Sequence, residues 1–411
     1  MSSAADAQDS KVSSPEIARS APATRIGFGA ALLLAMTVST FMIAAFGALA
    51  PVIRTDLELS RGALGALTTV MFAVGAGLSP VAGRMADEVG GRRLLVTLFV
   101  AAGVAFAAAA AAPTYPLLIV ACCIFGLSLA AGNPSTNKLI VEYLPIGRQG
   151  MITGIKQSGV QVGIFAAGAL LPPTALWLGW RGALLASIVL PTAGLVLARL
   201  FVPPDRPSSS RPQRRKVASA LGPVVSRLAA YAFLMGMGVA GYGAYLPLYS
   251  HEVLGLSVSV SGLTVALSGL VGIGARVLWG RAAEHTIPTP VALSVIAAGS
   301  VVAQALIWGA RGAGVGLVWA GALVTGLSAA SWNAVGMLEI VRGLEPGRAG
   351  RASGIVLLAF YGGNVISPLA FGLSVDWSGA YDLGWGALMT VYVSALFVAS
   401  AWALKARRGG I

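Results

Sequence analysis

Long apolar runs, separated by short polar or glycine-rich breaks, set the pattern of this 411-residue chain from about residue 26 onward. A bilayer core about 30 Å thick takes roughly 20 apolar residues as a helix, and lipid offers unpaired backbone groups no partner. The runs are too long for barrel strands, so the pattern predicts an all-α membrane protein. Spans are expected near 26–50, 62–82, 94–112, 117–142, 150–172, 182–202, 228–250, 260–280, 291–309, 315–340, 352–373 and 385–404. Twelve spans put both termini on one side. A segment rich in Pro, Ser and Arg, 203–227, divides six from six. The expected organisation is a flexible tail over 1–25, a six-helix bundle over 26–202, a linker over 203–227, a second bundle over 228–405 and a short tail over 406–411.

Lys and Arg orient the spans, because cytoplasmic loops retain positive charge. The tail (Lys11, Arg19, Arg25), the loop after span 2 (Arg84, Arg92, Arg93), Arg148, the linker (Arg206, Arg211, Arg214, Arg215, Lys216), Arg281, Arg342, Arg348 and the C-terminus (Lys405, Arg407, Arg408) fall on one face. The other face holds Arg54, Arg61, Arg181 and Arg311 beside Asp56, Glu58, Glu252, Asp376 and Asp382. Both termini are therefore expected in the cytoplasm, with the chain in the cell membrane.

Composition agrees: 56% of residues are hydrophobic and 10% charged, a mixture that a water-soluble domain would struggle to keep off its surface. A net charge of +13 would ordinarily suggest nucleic acid, but the basic residues sit between apolar runs and read as topology signals instead. Cys122 and Cys123 are adjacent within an apolar run, without disulfide or metal spacing. The first 25 residues lack the basic start and early apolar core of a cleavable signal peptide.

The two halves repeat. An offset of 200 carries Gly126 onto Gly326, Ser128 onto Ser328, Asn133 onto Asn333, Gly147-Arg148 onto Gly347-Arg348 and Gly163 onto Gly363. An offset of 196 or 197 carries Gly47 onto Gly243, Pro51 onto Pro247, Leu59-Ser60 onto Leu256-Ser257, Gly83-Arg84 onto Gly280-Arg281 and Asp87 onto Glu284. With 53 glycines some matches arise by chance, but the Asn, Arg, Pro and acidic matches in the same register do not. Parallel six-helix repeats, with a site near the midplane between them, are an architecture of secondary transporters.

The segment Gly83-Arg84-Met85-Ala86-Asp87-Glu88-Val89-Gly90-Gly91-Arg92-Arg93 resembles the loop 2–3 signature of the major facilitator superfamily. Gly280-Arg281-Ala282-Ala283-Glu284 resembles its weaker copy in loop 8–9. The resemblance implies two pseudo-symmetric six-helix bundles and alternating access. It also implies a latch that stabilises the outward-facing state, built here from Gly83, Arg84, Asp87, Arg92, Arg93, Gly280, Arg281 and Glu284. Glu88 departs from the family pattern, which usually has a basic residue there, and would weaken the latch. The residues have a physical reading of their own: Gly83 lets two helices approach, Asp87 suits a neighbouring helix N-terminus, and the arginines hold the loop at the cytoplasmic surface.

Ionisable groups deep in a span are expensive and normally face a cavity or a partner. Lys156 in span 5 and Arg276 in span 8 are both cations, one in each half, and snorkelling to the headgroups is the alternative for each. Facing a cavity, two cations without an intramembrane acid favour an anionic substrate, most simply a carboxylate. Gln157 and Gln161 share a helix face, and Asn133, Asn137, Asn333, Tyr242, Tyr361 and Asn364 complete the candidate substrate-binding set. Tyr361 is the repeat equivalent of Gln161, so the two are expected to face each other, although Asn and Tyr also serve as interhelical glue. Lys138 and Glu142 are expected to pair at i, i+4. Trp177, Trp180, Trp308, Trp377 and Trp385 read as interfacial anchors.

Span 1 lacks the acid of many proton-coupled sugar carriers and multidrug antiporters of the superfamily, offering Thr37, Ser39 and Thr40, and span 5 lacks the antiporter Gly-Pro signature. No phosphate-binding loop, metal cluster or nucleophile–base pair appears, so neither catalysis nor a cofactor is expected. The reading is a monomeric secondary transporter of a small organic anion, driven by a proton or counter-anion gradient. The alternatives are an exporter of a hydrophobic drug or metabolite and, third, a transporter-like sensor.

Overall fold

The computed structural model describes residues 22–205, 222–343 and 346–408. The tail residues Lys11 and Arg19 and the linker cations Arg206, Arg211, Arg214, Arg215 and Lys216 lie outside the described residues. Helices follow one another through the chain: α1 (Pro22–Asp56), α2 (Arg61–Glu88), α3 (Gly91–Ala111), α4 (Tyr115–Tyr143), α5 (Ile146–Ala186), α6 (Val189–Phe201), α7 (Pro223–Glu252), α8 (Val258–His285), α9 (Thr289–Ala313), α10 (Gly316–Leu327), a 3₁₀ turn (Ala329–Ser331), α11 (Trp332–Gly343), α12 (Pro346–Ser378) and α13 (Asp382–Arg408). Ten are long and apolar enough to cross a membrane among the described residues, one of them the joined stretch Met151–Phe201.

That stretch is two limbs. Gly179 is non-helical at φ 69°, ψ 166°. The first limb climbs beside α1, with Gly159 against the Leu33 carbonyl and Gly163 against that of Thr37. Just past Gly179, Trp180 and Arg181 bond to Asp56 at the end of α1, and Arg181 reaches the Ala112 carbonyl at the end of α3. The second limb then returns until Asp205 accepts from the amides of Arg92 and Arg93 at the start of α3, 2.7 and 3.0 Å away. The expected crossing at 315–340 is likewise interrupted, because Ser328 leaves helical geometry at φ −116°, ψ −88°. Counted apart, the two limbs bring the long apolar helices to eleven among the described residues, and 316–343 is two shorter helices on either side of the break.

The repeat visible in sequence recurs as packing. Ser60 caps α2 by accepting from the Ala63 amide, and its match Ser257 caps α8 by accepting from Val260. Gly126 lies against Val74 and Gly75 of α2, whereas Gly326 lies against Ser268 and Val271 of α8. Gly363 sits on the Phe233 carbonyl of α7, the position 196 residues after the Thr37 that Gly163 meets. A Cβ at Gly363 would come within 2.1 Å of that carbonyl oxygen, so the helices approach this closely only over glycine.

Two sequence expectations are corrected. Trp180 and Trp385 are buried rather than interfacial: Trp180 donates to Asp56, and Trp385 packs edge-on to Tyr249 and Phe371. Trp177 and Trp377 are exposed as anchors should be. Lys138 pairs with Asp87 of α2 at 3.5 Å, not with Glu142, because the end of α4 lies beside the end of α2 and brings an acid of another helix within reach.

Candidate functional site

Alpha-helical spacing places Asn133, Thr136 and Asn137 on one face of α4, at i, i+3 and i+4. Lys156, from the facing limb of α5, is 1% exposed and does not snorkel. Its Nζ donates to Thr136 Oγ1 at 2.9 Å, Asn137 Oδ1 at 2.5 Å and Asn133 Oδ1 at 3.3 Å. An ammonium has three N–H groups, and here each has one neutral oxygen. The Thr136 hydroxyl in turn donates a hydrogen bond to the Gly132 carbonyl at 2.7 Å.

Arg276 of α8 is held differently. Its Nε donates to the Ala330 carbonyl at 2.9 Å and its Nη1 to the Gln157 carbonyl of the other half at 2.8 Å. Ala330 lies within the interruption between α10 and α11, where helical pairing is broken and carbonyls are free for other donors. Gln161 Nε2 lies 3.5 Å from the same oxygen.

A cavity of about 180 Å³ opens between the halves. Asn133, Gln157, Gln161, Tyr242, Arg276, Asn333, Tyr361 and Asn364 line it, so eight of the ten expected site residues meet on one wall or another. Lys156 and Asn137 lie behind Asn133 and do not line it. Tyr361 lies within hydrogen-bonding reach of Asn133 rather than of Gln161, linking the two halves. Tyr242 lies beside Ser268 and Thr325, but its buried hydroxyl meets no hydrogen-bond partner among the described residues. Asn364 spends one amide donor on the Phe360 carbonyl at 2.6 Å.

Sequence reasoning missed the share of the aromatic wall that Phe72 and Trp332 supply. Phe72 of α2 meets Tyr361 with ring centroids 5.9 Å apart, and Trp332 and Phe360 meet at 5.2 Å. It also missed the Ala330 carbonyl, since Ser-Ala-Ala-Ser at 328–331 contains neither Gly nor Pro to mark a break. Among the described residues no Asp or Glu lines this cavity.

One end of the molecule is tied across the halves. Asp376 of α12 accepts from the amides of Arg61 and Gly62 at 2.9 and 2.7 Å, capping α2 from the other half. Glu252 of α7 pairs with Arg54 at 2.9 Å and Arg61 at 2.7 Å, and Tyr381 donates to it at 2.8 Å. Burial, first, and the Glu252 carboxylate hold the Tyr381 phenol above its ordinary range, so it remains a donor. The expected latch residues lie at the opposite end and pair within their own halves: Asp87 with Lys138, Glu284 with Arg342 at 3.5 Å, and Arg92 with the Arg199 carbonyl at 3.2 Å. No Cβ contact constrains Gly83 or Gly280.

The family description Major Facilitator Superfamily matches residues 32–368. The chain is 24% identical over 398 residues to a probable sulfoacetate transporter, SauU, of Cupriavidus necator, covering 84% of this chain and 88% of that protein. It is 27% identical to a probable nitrate/nitrite transporter, NarK2, of Mycobacterium tuberculosis, covering 93% and 97%. A bacterial homologue of the human lysosomal transporter Spinster, in an inward-facing and occupied conformation, superposes with a TM-score of 0.73 at 18% identity over 95% of this chain and 98% of that one.

Proposed function

The chain belongs to the Major Facilitator Superfamily, and from that premise we propose that it carries a small organic anion, carboxylate-like, across the cell membrane by alternating access. The observation that carries the reading is Arg276, a permanent cation on the wall of a cavity between the halves that no carboxylate among the described residues lines. Fixed on two carbonyls, the guanidinium keeps its remaining N–H groups for an anion without having to be ordered first. Asn133, Gln157 and Asn333 supply further polar contacts, and Phe72, Tyr361 and Phe360 supply an apolar wall for the rest of the solute. The cavity's volume is below the ~300–1,000 Å³ of drug-sized pockets. That size supports a small solute over the alternative, export of a hydrophobic drug, which the aromatic wall alone would allow.

In this reading the chain acts as a monomer with both termini in the cytoplasm, without a cofactor or nucleic acid, and a proton or counter-anion gradient drives it. The bonds around Arg61, Glu252 and Asp376 close the outer side, and the loop residues Arg84, Asp87, Arg92, Arg93, Arg281 and Glu284 engage when the inner side closes instead.

A ligand that binds only the folded protein raises its melting temperature. Purified protein is expected to be stabilised by members of a panel of sulfonates and mono- and dicarboxylates, and not by sugars or lipophilic cations. Arg276→Gln is expected to remove that stabilisation and anion uptake into proteoliposomes. Stabilisation by lipophilic cations or neutral drugs alone would replace the anion reading with the exporter.

A further inference from the structure

We propose that Lys156 carries the coupling proton, so that anion and proton cross together; the inference rests on the anion reading above. A carrier that holds its coupling proton on a side chain needs a group that gains and loses a proton within the spans. The titratable or charged side chains around this region are few. The α4 face against Lys156 offers Asn133, Thr136 and Asn137, all neutral. Alpha-1 approaches with Met36 and Thr37, the latter bonded to the Gly159 carbonyl. Across the cavity stand Arg276, Tyr242 and Tyr361. Beyond them on α4 lie Lys138, paired with Asp87, and Glu142 at the helix end. Arginine keeps its charge, and a tyrosine in apolar surroundings keeps its proton. Lys156 is left.

The three partners of Nζ suit both of its protonation states. As an ammonium, Nζ donates to Asn133, Asn137 and Thr136, while the threonine hydroxyl donates to the Gly132 carbonyl. As a neutral amine, it has two N–H groups for the two amide oxygens and one lone pair. Thr136 Oγ1, 2.9 Å away, turns its hydrogen from Gly132 to that lone pair. Protonation therefore forms one N–H bond, rotates one hydroxyl and moves no heavy atom. An aspartate in place of either asparagine would have fixed the charged state.

Charge balance favours pairing the proton with the substrate. Without substrate, an ammonium at Lys156 would leave the reorienting carrier with two uncompensated buried cations, which is costly. With Lys156 neutral the empty site carries only Arg276. A proton bound with the anion cancels one of its charges: a monoanion leaves the site's net charge at the same value and a dianion such as sulfoacetate brings it from +1 to zero, so neither the loaded nor the empty form changes sides with more than one uncompensated charge.

The test uses radiolabelled sulfoacetate in proteoliposomes with the membrane potential clamped. Wild type is expected to exchange the anion and to accumulate it when the interior is alkaline. Lys156→Met, always neutral, and Lys156→Arg, always charged, are each expected to lower accumulation at least tenfold relative to exchange. Accumulation restored by Lys156→Arg would mean that charge, not proton transfer, matters, and would overturn the proposal. An independent readout on ligand-free protein is the side-chain NMR signal of Lys156 in lysine-labelled protein, assigned by its loss in Lys156→Met. It is expected to move between ammonium and amine positions over pH 5–9. A signal fixed at the ammonium position across that range overturns the proposal whatever the transport assay gives. Absence of sulfoacetate exchange in wild type, with Lys156 titrating, would count against the anion tested and not against the proton site.

Discussion

Lys156 is enclosed by side chains of its own half, whereas Arg276 is held by two main-chain carbonyls, one from an interrupted helix and one from the other half. The difference follows from the donors. Three short-reach N–H groups on a flexible stem suit a pocket of oxygens on one helix face; a rigid planar fork suits separated carbonyls and leaves an edge free. The lysine is withdrawn behind the wall, and the arginine forms part of the wall. The repeat makes the contrast sharper, because neither cation has a charged counterpart: Val356 stands 200 residues after Lys156, and Ser79 stands 197 before Arg276. Two halves with equivalent helix packing thus differ at single positions that place one buried cation in each.

The largest effect is expected from depriving Lys156 Nζ of its acceptors. Asn133→Leu combined with Asn137→Leu leaves the buried nitrogen with Thr136 alone and should destabilise the protein by about 2–4 kcal/mol, the cost of two buried donors left without partners. Adding Lys156→Met should recover most of that loss, a coupling that melting temperatures would reveal. Independent, additive losses would mean that the asparagines serve another partner and would dissolve the contrast.

A smaller effect is expected at the other cation. Arg276→Lys keeps charge but cannot span two carbonyls and offer an edge as well, so anion binding should weaken about tenfold, or about 1.4 kcal/mol, with stability little changed. Unaltered affinity by thermal titration would show that only charge counts there. The smallest effect concerns a cation outside both sites. Lys138 faces a largely exposed Asp87, and Lys138→Ala should cost less than about 1 kcal/mol and leave substrate affinity unchanged.

Much of the fold was legible because lipid imposes it. Run lengths, positive loops and the repeat come from local composition, and residues such as Ser60 and Ser257 keep their matched roles as caps. Eight of the residues that line the cavity were legible as polar groups in apolar spans, where such groups are costly. Less legible were partners chosen by three-dimensional proximity. Lys138 has an acid four residues away and takes one from α2 instead; Trp385 reads as an anchor and packs in a core.

The sequence by itself determined a helical, two-fold repeated membrane carrier with one cation in each half, because hydropathy, charge bias and repetition are properties of residues and their spacing. Only the tertiary structure decided which cation meets the cavity. That choice depends on the break at Ser328, which frees the Ala330 carbonyl for Arg276, and on the α4 face, whose three oxygens enclose Lys156. Neither is a property of a residue's neighbours in sequence, because hydrogen-bond satisfaction in lipid is decided between helices once they have packed.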